Sequence, residues 1–208
     1  MLVAVADEVD ELNYIVCESL RRTNVAMKKH RLTIERNKTE AVVVKGPRKI
    51  SGVNFSFEEE DQGVGISKTI RYLGIMMSKN VRFGEHIKTA IAKAEKTMAT
   101  LMGLMPNIGG PSSRERATLC GAVHSVLLYA APIWYSVCTV KKYCDMLVSC
   151  QRKFLIRVIS AYRTVLAEAT QVVAAIPPID LLTEERHLLQ TRRSERGQED
   201  GGNEEPAA

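Results

Sequence analysis

The sequence is poor in the side chains that most often build metal sites and disulfide frameworks. It has five cysteines, Cys17, Cys120, Cys138, Cys144 and Cys150, and four histidines, His30, His86, His124 and His187. No two cysteines stand at Cys-x-x-Cys spacing and the histidines are scattered, so neither a zinc finger nor a zinc knuckle can be assembled. An odd number of unpatterned cysteines reads as reduced, mostly buried thiols in an intracellular protein, nuclear or cytoplasmic. No basic segment followed by a long apolar stretch opens the chain, so no signal peptide is expected. The most apolar run, residues 122–140, is interrupted by His124, Pro132 and Trp134, and no membrane span or membrane partner is expected from it.

What is present is ordinary globular composition. The 208 residues are 45% apolar and 25% charged, enough for one domain or two small ones with a buried core. The formal net charge is +5 and the sequence pI about 9.0. A mild basic excess points to an anionic partner, most often nucleic acid.

The chain changes character along its length. Residues 2–6 are a short apolar run, read as a buried strand. From Asp7 the period becomes helical, with Val9, Leu12, Val16 and Leu20 on one face. Asp7 is expected as the N-cap, with Glu8, Asp10 and Glu11 in the first turn and a basic cluster near residue 30 at the end. Strands are expected at 32–35, 40–45, 53–57, 66–70 and 72–77, with a hairpin loop over 58–65. After Ser78 everything reads as helix: 83–105, then a Gly-Pro break, then 112 or 113 to 128 with a serine cap, then 140–160, 165–176 and 179–193. Residues 194–208 read as a disordered tail. The fold class is α+β.

The adjacent carboxylates Asp7 and Glu8 raise the question of a magnesium site. Neighbours on a helix diverge by about 100 degrees, so the pair does not converge on one ion, and cap and solvated face are the better reading. Trp134 and Tyr135 have apolar flanks and read as core rather than as a base-stacking platform. His124, alone on an apolar helix, reads as a hydrogen-bonded core residue.

Three stretches, taken in order, carry a resemblance. They are Asn37-Lys38-Thr39-Glu40 before Ala41-Val42-Val43-Val44; Ile70-Arg71-Tyr72-Leu73-Gly74-Ile75; and Tyr162-Arg163-Thr164 with Glu168-Ala169, Pro177-Pro178-Ile179-Asp180-Leu181-Leu182 and Glu184-Glu185-Arg186. In this spacing the chain resembles, over residues 2–193, the reverse transcriptase of non-LTR (LINE-type) retrotransposons, in particular arthropod elements that insert at ribosomal genes. The resemblance implies an RNA-directed DNA polymerase, a nucleotidyltransferase, matched only after its Asp-Asp hairpin. Residues 1–78 would be a partial palm, 79–193 a helical thumb and connection-like region.

The polymerase family holds two Mg2+ ions with aspartates that this sequence lacks, so no cofactor is expected in this chain and none of its residues is expected to catalyse. Lys38 matches the family's general-acid lysine as a remnant; without a nucleotide site it reads as a turn lysine in water. Tyr72, Leu73 and Gly74 match the primer grip. Lys88, Lys93, Lys96, Arg152, Lys153, Arg157 and Arg163 are the candidate contacts to the phosphates of an RNA or DNA primer–template. The expected function is a polymerase fragment inactive by itself. The alternatives are a non-catalytic nucleic-acid-binding helical module and a non-functional retroelement relic.

Overall fold

A computed structural model describes residues 1–46, 55, 65–106 and 110–201, with the side chains of 36, 80 and 197–201 left aside. The chain divides into two compact units, Met1–Arg82 and Phe83–Ala208.

In the first unit, residues 1–6 belong to no helix or strand, and helix α1 spans Val9–Lys29. Its N-cap is Glu8, not Asp7, and no side chain caps it. Asp10 and Glu11 occupy the first turn and Lys28 and Lys29 the last, as the helix dipole favours. Glu18 accepts from both Arg21 and Arg22, which hold its carboxyl down at about 2. The helix stops in a Schellman motif. Leu32 N–H donates to Met27 O at 3.0 Å, Arg31 N–H to Lys28 O at 3.0 Å, and Arg31 sits at φ 57°.

The strands expected at 2–6, 32–35 and 40–45 do not form. Residues 32–35 are irregular and lead into a 3-10 turn at Arg36–Lys38, and Ala41 makes only an isolated parallel bridge to Ile66. The strand at 53–57 and the loop at 58–65 lie outside the described residues except for Phe55, which is buried, and Gly65. The sheet that is described is one antiparallel hairpin, β1 (Thr69–Tyr72) and β2 (Ile75–Ser78), in the register Thr69↔Ser78 to Tyr72↔Ile75.

Among its described residues the second unit has only helices as regular elements: α2 (Gly84–Met102), α3 (Ser113–Leu127), α4 (Ala131–Trp134), α5 (Lys141–Val158), α6 (Ala167–Ala174) and α7 (Ile179–Gly201), with a 3-10 turn at Tyr135–Thr139. Ser112 begins α3 with a capping box: its side chain accepts from Glu115 N–H while the Glu115 carboxylate accepts from Ser112 N–H at 2.7 Å. Burial follows the apolar stripes. Ile87, Ala90 and Ala94 of α2, Cys120, Val123 and Leu127 of α3, and Leu147, Cys150, Phe154 and Leu155 of α5 are buried, as are Trp134 and Ile179, and α2, α3 and α5 pack on one another. Trp134 is fully buried and its Nε1 donates to Tyr129 O at 2.8 Å. α7 runs past Arg193 to Gly201, so residues 194–201 are helical where a tail was expected; 202–208 lie outside the described residues. All five cysteines are free. No single described helix is long and apolar enough to cross a membrane.

Candidate nucleic-acid interface

The β1–β2 hairpin turns on two residues, Leu73 at φ 47° and Gly74 at φ 84°. Two positive φ values are what the tight, right-twisted hairpin turn requires. Glycine accepts this without strain; leucine does not. Leu73 is nonetheless 72% exposed and Tyr72 41% exposed. The tip therefore shows an aromatic and an apolar side chain to solvent from a strained turn, with Arg71 exposed beside them.

Lys38 ends the 3-10 turn. Its N–H donates to Glu35 O at 3.2 Å and its side chain is exposed. That is a turn lysine in water. Nor do the carboxylates near α1 converge: Asp7, Glu8, Asp10 and Glu11 are all exposed around the first turn, and no group of three or more potential metal ligands occurs among the described residues. Among the described residues none of these carboxylates fits a two-magnesium site.

The seven candidate basic side chains of the second unit separate into two sets. Lys88 pairs with Glu85 of its own helix at 2.7 Å. Lys153 of α5 pairs with Glu95 of α2. Arg152 donates to Val165 O at 2.8 Å and to Arg163 O, so it fastens the turn after α5 to that helix. Arg157 is half-buried and engaged, and its carbonyl accepts from Arg116. The side chains of Lys93, Lys96 and Arg163 are exposed and make no hydrogen bond or ion pair among the described residues. Lys93 and Lys96 are three apart on α2, hence neighbours on one face.

Sequence reasoning missed two buried polar centres. Arg116 is only 5% exposed. Its guanidinium donates to Pro111 O at 2.8 Å, Pro106 O at 2.7 Å, Arg157 O at 3.2 Å and Ser160 Oγ at 2.8 Å. Of its three carbonyl acceptors, Arg157 O lies at the C-terminal end of α5, where the helix dipole is negative. The second centre is Gln151, fully buried. Its Nε2 donates to Pro177 O at 2.8 Å and faces His124 Nε2 at 3.2 Å; its Oε1 accepts from Gln171 Nε2 and Ile179 N–H, each at 3.0 Å. Because Gln151 supplies the hydrogen, His124 Nε2 must be the bare nitrogen. Its proton then sits on Nδ1, which faces Cys120 Sγ at 3.7 Å. The signal for both was legible: Arg116 falls in the stripe of Cys120, Val123 and Leu127, and Gln151 in that of Leu147, Phe154 and Val158.

Cys, His and Gln in a row suggest a nucleophile. Burial decides against it. It pushes the Cys120 thiol up to about 12 and His124 down to about 4, with Arg186 adding to the latter. Thiol and imidazole both stay neutral, and a neutral thiol closed off from solvent does not attack.

No protein-family model matches the chain, and no solved structure matches it. Curated proteins do. A 115 kDa protein of the type-1 retrotransposable element R1DM of Drosophila melanogaster is 31% identical over 147 residues, 70% of this chain and 14% of that protein. Two Nasonia vitripennis proteins named as retrovirus-related Pol polyproteins from type-1 retrotransposable elements R1 are 25% identical over 185 residues (87% of this chain, 55% of that protein) and 24% over 163 residues (72% and 38%). The chain spans about half or less of the length of each of these relatives. It is an R1-like sequence, homologous to the proteins of this class of non-LTR retrotransposable element.

Proposed function

We propose that the chain is the part of a retrotransposon RNA-directed DNA polymerase that follows the catalytic Asp-Asp hairpin, comprising the rear of the palm and the helical thumb and connection-like region, and that it contacts an RNA or DNA primer–template. The observation that carries this is the Tyr72-Leu73-Gly74 turn. In a homologue of Pol polyproteins, a tight hairpin holds Tyr72 and Leu73 out to solvent at the cost of a strained leucine. Such a tip suits close approach to a nucleic-acid backbone. Lys93, Lys96 and Arg163, whose side chains have no carboxylate partner among the described residues, are the phosphate contacts of the helical unit.

Nucleotidyl transfer needs two metal ions held by converging carboxylates. Those of α1 diverge and no group of three or more potential ligands occurs among the described residues, which supports a chain that binds without polymerising.

Fluorescence anisotropy with a labelled RNA–DNA primer–template measures the first half of the proposal. Affinity is expected to fall steeply between about 50 and 200 mM salt; no binding at low salt overturns the nucleic-acid reading. A primer-extension assay with Mg2+ and deoxynucleotides measures the second half. No product is expected, and extension by the purified chain overturns the assignment of inactivity.

A further inference from the structure

α7 extends past the body it packs on. Ile179 and Thr183 are buried, whereas every residue from Leu188 to Arg196 is exposed. The free part of the helix has little of its own to hold it, since a short isolated helix is marginal in water. Its outward stripe is Leu181, Glu185, Leu188 and Arg192, at intervals of four, three and four, the spacing of a helix-pairing seam. Leu181 is 53% and Leu188 50% exposed. With Glu184 and Leu189 they line one shallow concavity. The side chains of Glu184, Glu185 and Arg192 make no hydrogen bond or ion pair among the described residues.

Around Leu188 the charges that stand free are segregated. Glu184 and Glu185 lie on its N-terminal side and Arg192 and Arg193 on its C-terminal side, while Arg186 turns inward to Leu128 O and Glu195 lies further along the helix. Turned end for end, this pattern is its own complement. We propose that the stripe is the contact face of a homodimer, with α7 of two copies pairing antiparallel about a twofold axis beside Leu188. The register that sets Leu188 against Leu189 also sets Glu185 against Arg192 and Glu184 against Arg193, and the symmetry makes each contact twice. A parallel pair sets Glu185 against Glu185 and Arg192 against Arg192, so like charges reject it. The leucines supply the buried area and the charges fix orientation and register. One helix pair is a small interface, on the order of 1,000 Å2, and association in the micromolar range is expected.

The proposal does not depend on the polymerase reading, and a monomer would leave that reading untouched. Sedimentation velocity on the full chain, from about 1 to about 200 µM, tests it. A concentration-dependent monomer–dimer equilibrium is expected. The Glu184→Arg/Glu185→Arg variant and the Arg192→Glu/Arg193→Glu variant should each dimerise at least about tenfold more weakly, and an equimolar mixture should recover a heterodimer. All four positions are exposed, and far-UV circular dichroism checks that both variants keep their helices. A wild-type monomer across the range, a dimer indifferent to charge reversal, or a mixture that stays monomeric overturns it.

Discussion

The backbone N–H of Ile179 donates to the side-chain Oε1 of Gln151 at 3.0 Å, so the first turn of α7 is capped from the middle of α5. The two prolines before Ile179 bring no N–H of their own, which leaves this donor the first that α7 offers. The same Oε1 takes the Gln171 amide, and Nε2 takes Pro177 O and His124. A flipped amide would set oxygen against Pro177 O and nitrogen against Ile179 N–H, so one orientation alone satisfies every partner. Gln151→Leu keeps the volume and orphans this whole set in a buried site. A loss of about 3–5 kcal/mol is expected, read by urea denaturation; a loss below about 1 kcal/mol would show that water replaces the amide without cost.

His124 makes stability depend on pH, and the sign is fixed. The unfolded imidazole binds its proton near 6.5; the folded one, desolvated and facing Arg186, near about 4. As pH falls below 6.5 the unfolded state takes the proton first. Stability is full above that pH and is lost progressively down to about 4, by on the order of 3 kcal/mol. His86 is shifted the same way by burial and by Lys93 and adds to the slope. Thermal melts at pH 7.5 and pH 4.5 should show a lower midpoint at the acid end, and His124→Asn should flatten the difference.

Arg116 and Gly110 form one unit. A Cβ at Gly110 would lie 2.2 Å from Pro106 O and 2.8 Å from Arg116 Nη2, inside the hydrogen bond that joins them. Gly110→Ala must move that carbonyl or the guanidinium. Arg116→Lys keeps the charge but cannot reach four acceptors in a fork. Each is expected to cost about 2–3 kcal/mol, and the double variant less than the sum, because both break one cluster. Strict additivity in denaturation midpoints would argue that the two sites are independent.

The helices of the second unit were legible because their apolar residues recur at helical spacing and each pays its burial locally. In the first unit α1 was legible for the same reason, but the strands were not. Residues 2–6 and 40–45 are β-prone, but a strand exists only with a partner, and pairing is not written in a single segment. The hairpin was half legible: 66–77 read as extended, while its turn carries Leu73 rather than a signature Asn-Gly. Of the candidate contacts, Lys93, Lys96 and Arg163 stand clear, whereas Lys88, Arg152 and Lys153 are used by the protein itself, a distinction spacing cannot make. Helix ends were blurred for a related reason. α1, α5 and α6 all stop with a left-handed residue, and in each case it is not glycine: Arg31, Ser160 and Ala175.

Those stops are places to gain stability. Ala175 at φ 52° ends α6, with Ile176 N–H on Gln171 O at 3.1 Å. Ala175→Gly keeps the motif and removes the Cβ strain, for a gain of about 0.5–1 kcal/mol. Ser160→Gly should not gain, because Ser160 Oγ accepts from Arg116. A midpoint rise for Ser160→Gly equal to that for Ala175→Gly would count against the role given to this hydroxyl.

Leu73 offers the same strain with the opposite purpose. Leu73→Gly relaxes the turn and should leave stability equal or raise it by up to about 1 kcal/mol. If the exposed leucine is retained for contact with a primer–template, the same change should weaken binding several-fold with little effect on its salt dependence, since no charge is lost. Lys93→Ala/Lys96→Ala should do the reverse: weaker binding and a shallower slope of affinity against salt, by about one to two in the logarithmic plot. The two variants together separate contact from charge. A Leu73→Gly chain that binds as tightly as wild type would leave the turn a purely structural feature, and an unchanged salt slope for the lysine variant would remove α2 from the interface.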